Sequence, residues 1–166
     1  MPDQKTLERA AKDKREGKAP STQAGEFVRE EIEHIREGKH GARSPEQAIA
    51  IGLSKARRAG VDLPPPKKGT ASEKTRRSAK QAYKAGKKTK KRTSTKRARA
   101  VERALKREPR SSVSKKALSK HARSAAKRRS APSRSASARK ATKTKGAALR
   151  SSAARKAAQT RARRGK

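Results

Sequence analysis

Between Lys67 and Lys166 the chain carries 38 Lys and Arg against three acids, Glu73, Glu102 and Glu108, a net of +35 over a hundred residues. Like charge at that density opposes a compact state through self-repulsion. The same stretch offers only Tyr83, Val101, Leu105, Val113, Leu118 and Leu149 as larger apolar side chains, too few to bury a core. Residues 1–66 are a different material, with 13 basic and 11 acidic residues and ten larger apolar ones: Leu7, Phe27, Val28, Ile32, Ile35, Ile49, Ile51, Leu53, Val61 and Leu63. The chain therefore reads as a small all-α N-terminal module of two to three short helices (1–63), a Pro-rich spacer (64–69) and a long, mostly disordered basic tail (70–166) with helix-competent islands.

The module's helices are read from their punctuation. REGK occurs at Arg15–Lys18 and again at Arg36–Lys39, and each copy predicts a helix ending at its Gly, the residue suited to a left-handed stop. The Ser-led blocks STQA and SPEQA that follow predict the next starts. In SPEQAIAIGLSKARRAG, Ser44 suits the N-cap, Pro45 the first helical position and Gln47 the return arm of a capping box. Lys55, Arg57 and Arg58 complement the dipole of the last turns, and Gly60 stops the helix. Helices are expected near 4–16, 22–37 and 45–59. Ile49, Gly52, Leu53 and Ala56 line one face of the third, and Val28, Ile32 and Ile35 form a stripe on the second. Pro64, Pro65 and Pro66 favour a stiff polyproline II spacer. In the tail, ASEKTRRSAKQAYKAG opens with a Thr70–Glu73 capping box and closes at Gly86, and KRARAVERALKRE runs toward Pro109. Both are expected to gain helix when phosphates neutralise their charge.

The stretch EFVREEIEHIREGKHGARSPEQAIAIGLSKARRAGVDLPPP resembles a bacterial family of small basic proteins of unknown function, often labelled DNA-binding, whose signature is a QAIAIGLSKARRAG-type segment. That resemblance covers about Thr22–Pro66 and implies a bacterial cytoplasmic or nucleoid setting. It supplies no catalytic residues. The tail is similar in composition to the tails of linker histones and of bacterial histone-like proteins.

A net charge of +37 points to a polyanionic partner, nucleic acid, with DNA favoured over RNA. The expected phosphate-contacting side chains run along the tail. Lys67, Lys68, Lys74, Arg76, Arg77, Lys87, Lys88, Lys90, Lys91 and Arg92 come first. Arg97, Arg99, Arg103, Lys106, Arg107, Lys115 and Lys116 follow, then Arg123, Lys127, Arg128, Arg129, Arg139, Lys140, Arg161, Arg163 and Arg164. Fully extended, this tail would reach about 330 Å, long enough to bridge duplexes. Lys39, Arg43 and Ser44, before a helix start, are a candidate contact for one phosphate. Sequence-specific readout is disfavoured. There is no Cys for zinc fingers, two aromatics, Phe27 and Tyr83, make no stacking platform, and GKHGARS is long for a helix-turn-helix connection.

No metal and no cofactor are expected. Glu31 and His34 have the ExxH spacing of di-iron bundles, but those sites need a second such pair and two further Glu, so His34 reads as a partly exposed helix residue. No nucleophile elbow or convincing acid pair suggests an enzyme, and no small-molecule substrate is expected. No apolar run approaches a membrane span or a signal peptide's apolar core, so no membrane partner is expected. Glu26, Glu30, Glu31, Glu33 and Glu37 make the second helix the one acidic patch, an ordinary solvated face or a holder of the basic tail. The sequence thus points to a non-enzymatic, sequence-independent DNA-binding nucleoid protein that coats, bridges or compacts DNA. An RNA- or ribosome-associated basic protein, and an adaptor recruiting a protein through its helices, are the alternatives. Ten larger apolar residues are thin for an autonomous module, so self-association through the helices is a further expectation.

Overall fold

The structure, a computed structural model, describes residues 2–87 and 94–164. Helices run through the whole chain, which is 76% helical, so the expectation of a short helical module with a long disordered tail is overturned. The α-helices among the described residues are α1 (Gln4–Arg15), α2 (Pro20–Arg36), α3 (Pro45–Arg58), α4 (Glu73–Gly86), α5 (Thr95–Lys106), α6 (Lys115–Arg128) and α7 (Ala131–Arg164), with a 3₁₀ turn at Ser111–Val113. Repulsion was weighed against too little: Ala, Lys and Arg are all strong helix formers. The interspersed Ser and Thr are compatible with helix because their hydroxyls bond back to carbonyls of the preceding turn. Thr142 donates to Arg139 O (2.7 Å) and Thr160 to Lys156 O (2.9 Å).

The chain forms two compact units, Met1–His121 and Ala122–Lys166. The division between them falls after His121. In the first unit, α1, α2 and α3 end as their glycines dictate. Gly17, Gly38 and Gly60 take positive φ of 68°, 82° and 92°. In each case the next residue's N–H bonds back across the last turn, Lys18 to Asp13 O, Lys39 to His34 O and Val61 to Ala56 O. α2 starts at Pro20, ahead of the expected residue 22, because Pro suits the first helical position. The cap of α4 is Ser72, accepting from Thr75 N, rather than the expected Thr70.

Two apolar clusters hold this unit together. Phe27, Ala10, Ala24, Ala56 and Val61, flanked by Leu7, Leu53 and Leu63, join α1, α2 and α3. Gly52 lets α3 approach α2: a Cβ there would lie 2.7 Å from the Val28 Cα. The second cluster combines Ile35, Ala42 and Ala48, flanked by Ile32, with Val113 from the supposed tail. Val113 is fully buried. Its segment is sewn onto the α2–α3 loop by backbone bonds, Gly41 N to Leu105 O (2.9 Å) and Ala42 N to Pro109 O (3.2 Å), and Arg36 donates to Val113 O at 3.2 Å. A Cβ on Gly41 would sit 1.8 Å from Glu108 O, so only glycine admits this approach.

The proline stretch does not carry the chain away from the module either. Arg57, buried in α3, donates to Leu63 O (3.0 Å) and Pro64 O (3.3 Å) and folds the segment back. α4 then packs on α3 through buried Ala79 and Ala82, with Gly86 where a Cβ would meet Arg57 O at 1.9 Å, and the Tyr83 hydroxyl donates to Asp62. In the second unit, α7 bends at Gly146, whose φ and ψ of 60° and 169° interrupt the helix.

Docking of residues 105–113 predicts slow amide exchange at Gly41 and Ala42. Val113→Asp places a charge where no water reaches, and should release the segment at a cost of about 2 kcal/mol or more. Exchange at both amides should then rise roughly 30-fold. Hydrogen-exchange NMR on the full chain checks this, and equally fast exchange in both proteins would refute the docking.

Candidate nucleic-acid interface

In the first unit the expected phosphate contacts divide into exposed and internally paired cations. Lys67, Lys68, Lys74, Arg77, Arg97, Arg99, Arg103, Arg107, Lys115 and Lys116 are exposed. Arg76 is committed to Glu73 through bonds of 2.9–3.2 Å, and this pairing holds the Glu73 carboxyl below its ordinary value. Lys106 pairs with Glu102 at 2.9 Å, and the Lys87 ammonium lies 4.4 Å over the Tyr83 ring. Lys88, Lys90, Lys91 and Arg92 lie outside the described residues. Exposed pairs of this kind are weak and screened by salt, so Arg76 and Lys106 are not locked to their carboxylates.

The second unit has a different balance, with sixteen Lys and Arg and no acid from Ala122 to Lys166. Arg123, Lys127, Arg128, Arg139, Lys140, Arg161 and Arg163 are exposed along α6 and α7, while the Arg164 side chain lies outside the described ones. Arg129 folds over the first turns of α7, donating to Ser133 O (3.0 Å) and Ser133 Oγ. α7 has no apolar stripe: cations and small residues are spread around it. Lys80, Lys84, Arg134, Arg150, Arg155 and Lys156, which are not among the expected contacts, are exposed in the same way. No sequence pattern separates them from those chosen. Arg110 is different, since its guanidinium packs against Gly38.

The loop before α3 has few donors left for a phosphate. Gly41 N and Ala42 N go to carbonyls of the docked segment. Arg43 N donates to Gln47 Oε1 (2.7 Å), and Ser44 Oγ accepts from Gln47 N (3.3 Å), which completes the capping box. Lys39 pairs with Glu37 at 3.0 Å. α3 itself lies against α2, α4 and the 3₁₀ turn, leaving Glu46, Ala50 and Arg58 as its exposed residues, a poor set for reading base edges.

The acidic helix is not a single solvated face. Glu33 and Glu37 are exposed, but Glu30 and Glu31 are buried. Lys55 of α3 bridges the two, 3.2 Å from Glu30 Oε1 and 2.7 Å from Glu31 Oε2. Glu30 Oε2 also accepts from Asp3 N at 3.1 Å. His40 Nε2 lies 3.3 Å from Glu31 Oε1, and His34 Nε2 lies 3.2 Å from Asp3 Oδ2. Sequence spacing alone could not bring Asp3, His40 and Lys55 to α2, because the α1–α2 and α2–α3 turns intervene.

Residues 3–68 match the model of a family of unknown function (DUF6496). No curated protein and no solved structure matches the chain. Among the described residues, no helix is long and apolar enough to cross a membrane.

Burial opposes the charge on Lys55, but the hydrogen bonds to and fields of Glu31 and Glu30 outweigh it and raise its pKa above the ordinary 10.5. A raised folded-state value means the pairing contributes fully below 10.5 and is lost as pH rises through the higher folded value. Removing one partner of a buried pair costs about 3–5 kcal/mol. Lys55→Met should therefore be destabilised by about that much near pH 8, and the gap from wild type should shrink at about pH 11.5. Urea unfolding of both proteins at the two pH values measures it, and a gap that stays constant would contradict the assignment.

Proposed function

We propose that the protein is a non-enzymatic, sequence-independent nucleic-acid-binding protein that coats and compacts duplex DNA. The observation that carries this reading is the second unit: sixteen cations, no acid, and in α7 a single large apolar side chain, Leu149, among Ala, Ser and Thr. Such a composition is costly to maintain in isolation and is favoured wherever condensed counterions can be released from a phosphate backbone. The family match supplies no activity, and the reading rests on charge and geometry.

Helicity changes how such a protein works. A helix rises about 1.5 Å per residue, against about 3.3 Å for an extended chain, so the reach expected of a disordered tail shrinks by more than half. A straight run of some 15–18 residues on either side of Gly146 spans roughly 25 Å. That length of duplex carries about 15 phosphates at one charge per 1.7 Å. Each half of α7 thus matches a short run of backbone, and Gly146 lets the two halves take different directions. Recognition through phosphates carries no sequence information, and α3, the element best placed in the chain to read bases, is enclosed by its neighbours.

If about ten phosphates are contacted at once, log K should fall with log[salt] at a slope near −9 on scrambled duplexes. Replacing Arg123, Arg128, Arg134, Arg139, Arg150 and Arg155 with Gln in the full chain should make that slope shallower by up to about 5, with circular dichroism confirming retained helix. An unchanged slope, or strong preference for one sequence, would refute the reading. Tighter binding to a matched RNA duplex would transfer it to RNA.

A further inference from the structure

Glu31, His34 and His40 each offer a ligand atom within 4.8 Å of the others, and Asp3, Glu30 and His34 form a second such set. The residues come from three places, the segment before α1, the inner face of α2, and the α2–α3 loop. Glu31 is fully buried; Lys55 pairs with its Oε2 at 2.7 Å, while its Oε1 has no partner with hydrogen-bond geometry and faces His40 at 3.3 Å. A buried carboxylate left in that condition is costly. We propose that Glu31, His34 and His40 bind one divalent transition-metal cation of the Zn²⁺ type.

Three features support the assignment. Tetrahedral Zn²⁺ with bonds of about 2.0–2.1 Å places its ligand atoms about 3.3–3.5 Å apart, and His40 Nε2 and Glu31 Oε1 already stand 3.3 Å apart. The ligand atom of His34 lies within 4.8 Å of both, so its side chain must swing inward to close the set. The two Glu31 oxygens face different groups, Oε1 toward His40 and Oε2 toward Lys55, so a cation takes the first while the ammonium keeps the second. Finally, Glu30 and Glu31 share a single Lys55, so two buried carboxylates face one ammonium and a cation at Glu31 Oε1 supplies the missing positive charge. Two imidazoles and one carboxylate favour Zn²⁺ over Mg²⁺ or Ca²⁺, which select all-oxygen sites. This donor set leaves a fourth position open.

A cation here would tie the α2–α3 loop to α2. That loop also receives residues 105–113, through Gly41 and Ala42, so metal binding should steady the docking surface for the rest of the first unit. The site is independent of the nucleic-acid reading, because its residues lie in α2 and its surroundings, and its test needs no DNA.

The test uses the full chain, stripped with a chelator and titrated with Zn²⁺ by calorimetry, and with Co²⁺ by visible absorption. One equivalent should bind, with the intense d–d bands of a four- or five-coordinate N/O site, and Tm should rise on loading. His34→Gln and His40→Gln should each weaken binding at least tenfold. His121→Gln should leave it unchanged, since His121 faces Glu46. No saturable single-site binding, equal affinity in the His34 and His40 variants, or loss in the His121 variant would overturn the proposal. Should either variant fail to fold, the imidazole ¹⁵N shifts of wild type decide: Zn²⁺ must move those of His34 and His40 and spare His121, and any other pattern refutes the site.

Discussion

Lys55 reaching between Glu30 and Glu31 is the contact on which the first unit depends. It joins α3 to α2 at 2.7 and 3.2 Å, beside the place where Gly52 lets the two helices touch. Two carboxylates at 3% and 0% exposure could not be buried without that ammonium, since desolvating an unpaired charge costs several kcal/mol. Buried pairs contribute little net stability but penalise every alternative arrangement. Slipping α3 by one residue would turn Lys55 off the carboxylates and replace Gly52 with a side chain at the crossing. Charge and sterics therefore fix the same register, in a unit whose apolar core is small.

The distribution of acids explains why one chain contains two different kinds of surface. All fourteen lie at or before Glu108, and many are engaged within the first unit: Asp13 with Lys18, Glu26 with Arg29, Glu46 with His121. There the cations have local partners and the chain folds around them. Beyond His121 the sequence supplies sixteen cations and no acid, a composition for which displacement of counterions from a polyphosphate is favourable. Within α7, helix propensity is joined by local hydroxyl bonds such as those of Thr142 and Thr160.

Legibility from sequence followed the range of the forces involved. Helix ends set by local backbone chemistry were readable to within one or two residues, as at Gly38, Ser44 and Gly60, because a cap or a left-handed glycine acts over one turn. Disorder of the tail was misread because composition reports average repulsion, whereas a single Val113 with two backbone hydrogen bonds was enough to dock residues 105–113. The role of Gly41 was invisible, since its reason is a carbonyl more than sixty residues away. Glu31 and His34 were noticed for their spacing, but nothing local indicates that His40 and Asp3 fold back upon them. The exposure of the cations was readable as a class and not individually, because a solvated Lys or Arg needs no particular neighbour in sequence.

The close approaches at Gly41, Gly52 and Gly86 complete the physical account of how so basic a chain becomes compact. Each puts backbone against backbone where a Cβ would fall 1.8–2.7 Å from a neighbouring atom, so contact area is gained from main chain and alanine rather than from large side chains. Ala24, Ala42, Ala48 and Ala56 are all fully buried, and small residues allow helices to approach closely enough for dispersion to accumulate. Such packing needs few apolar residues, which leaves the surface of nearly every helix free for Lys and Arg. The same economy makes the fold intolerant: adding a methyl group at a crossing separates two helices and the ion pair between them together. A cationic coat and a core of glycine and alanine are thus two consequences of one constraint, the scarcity of large apolar side chains.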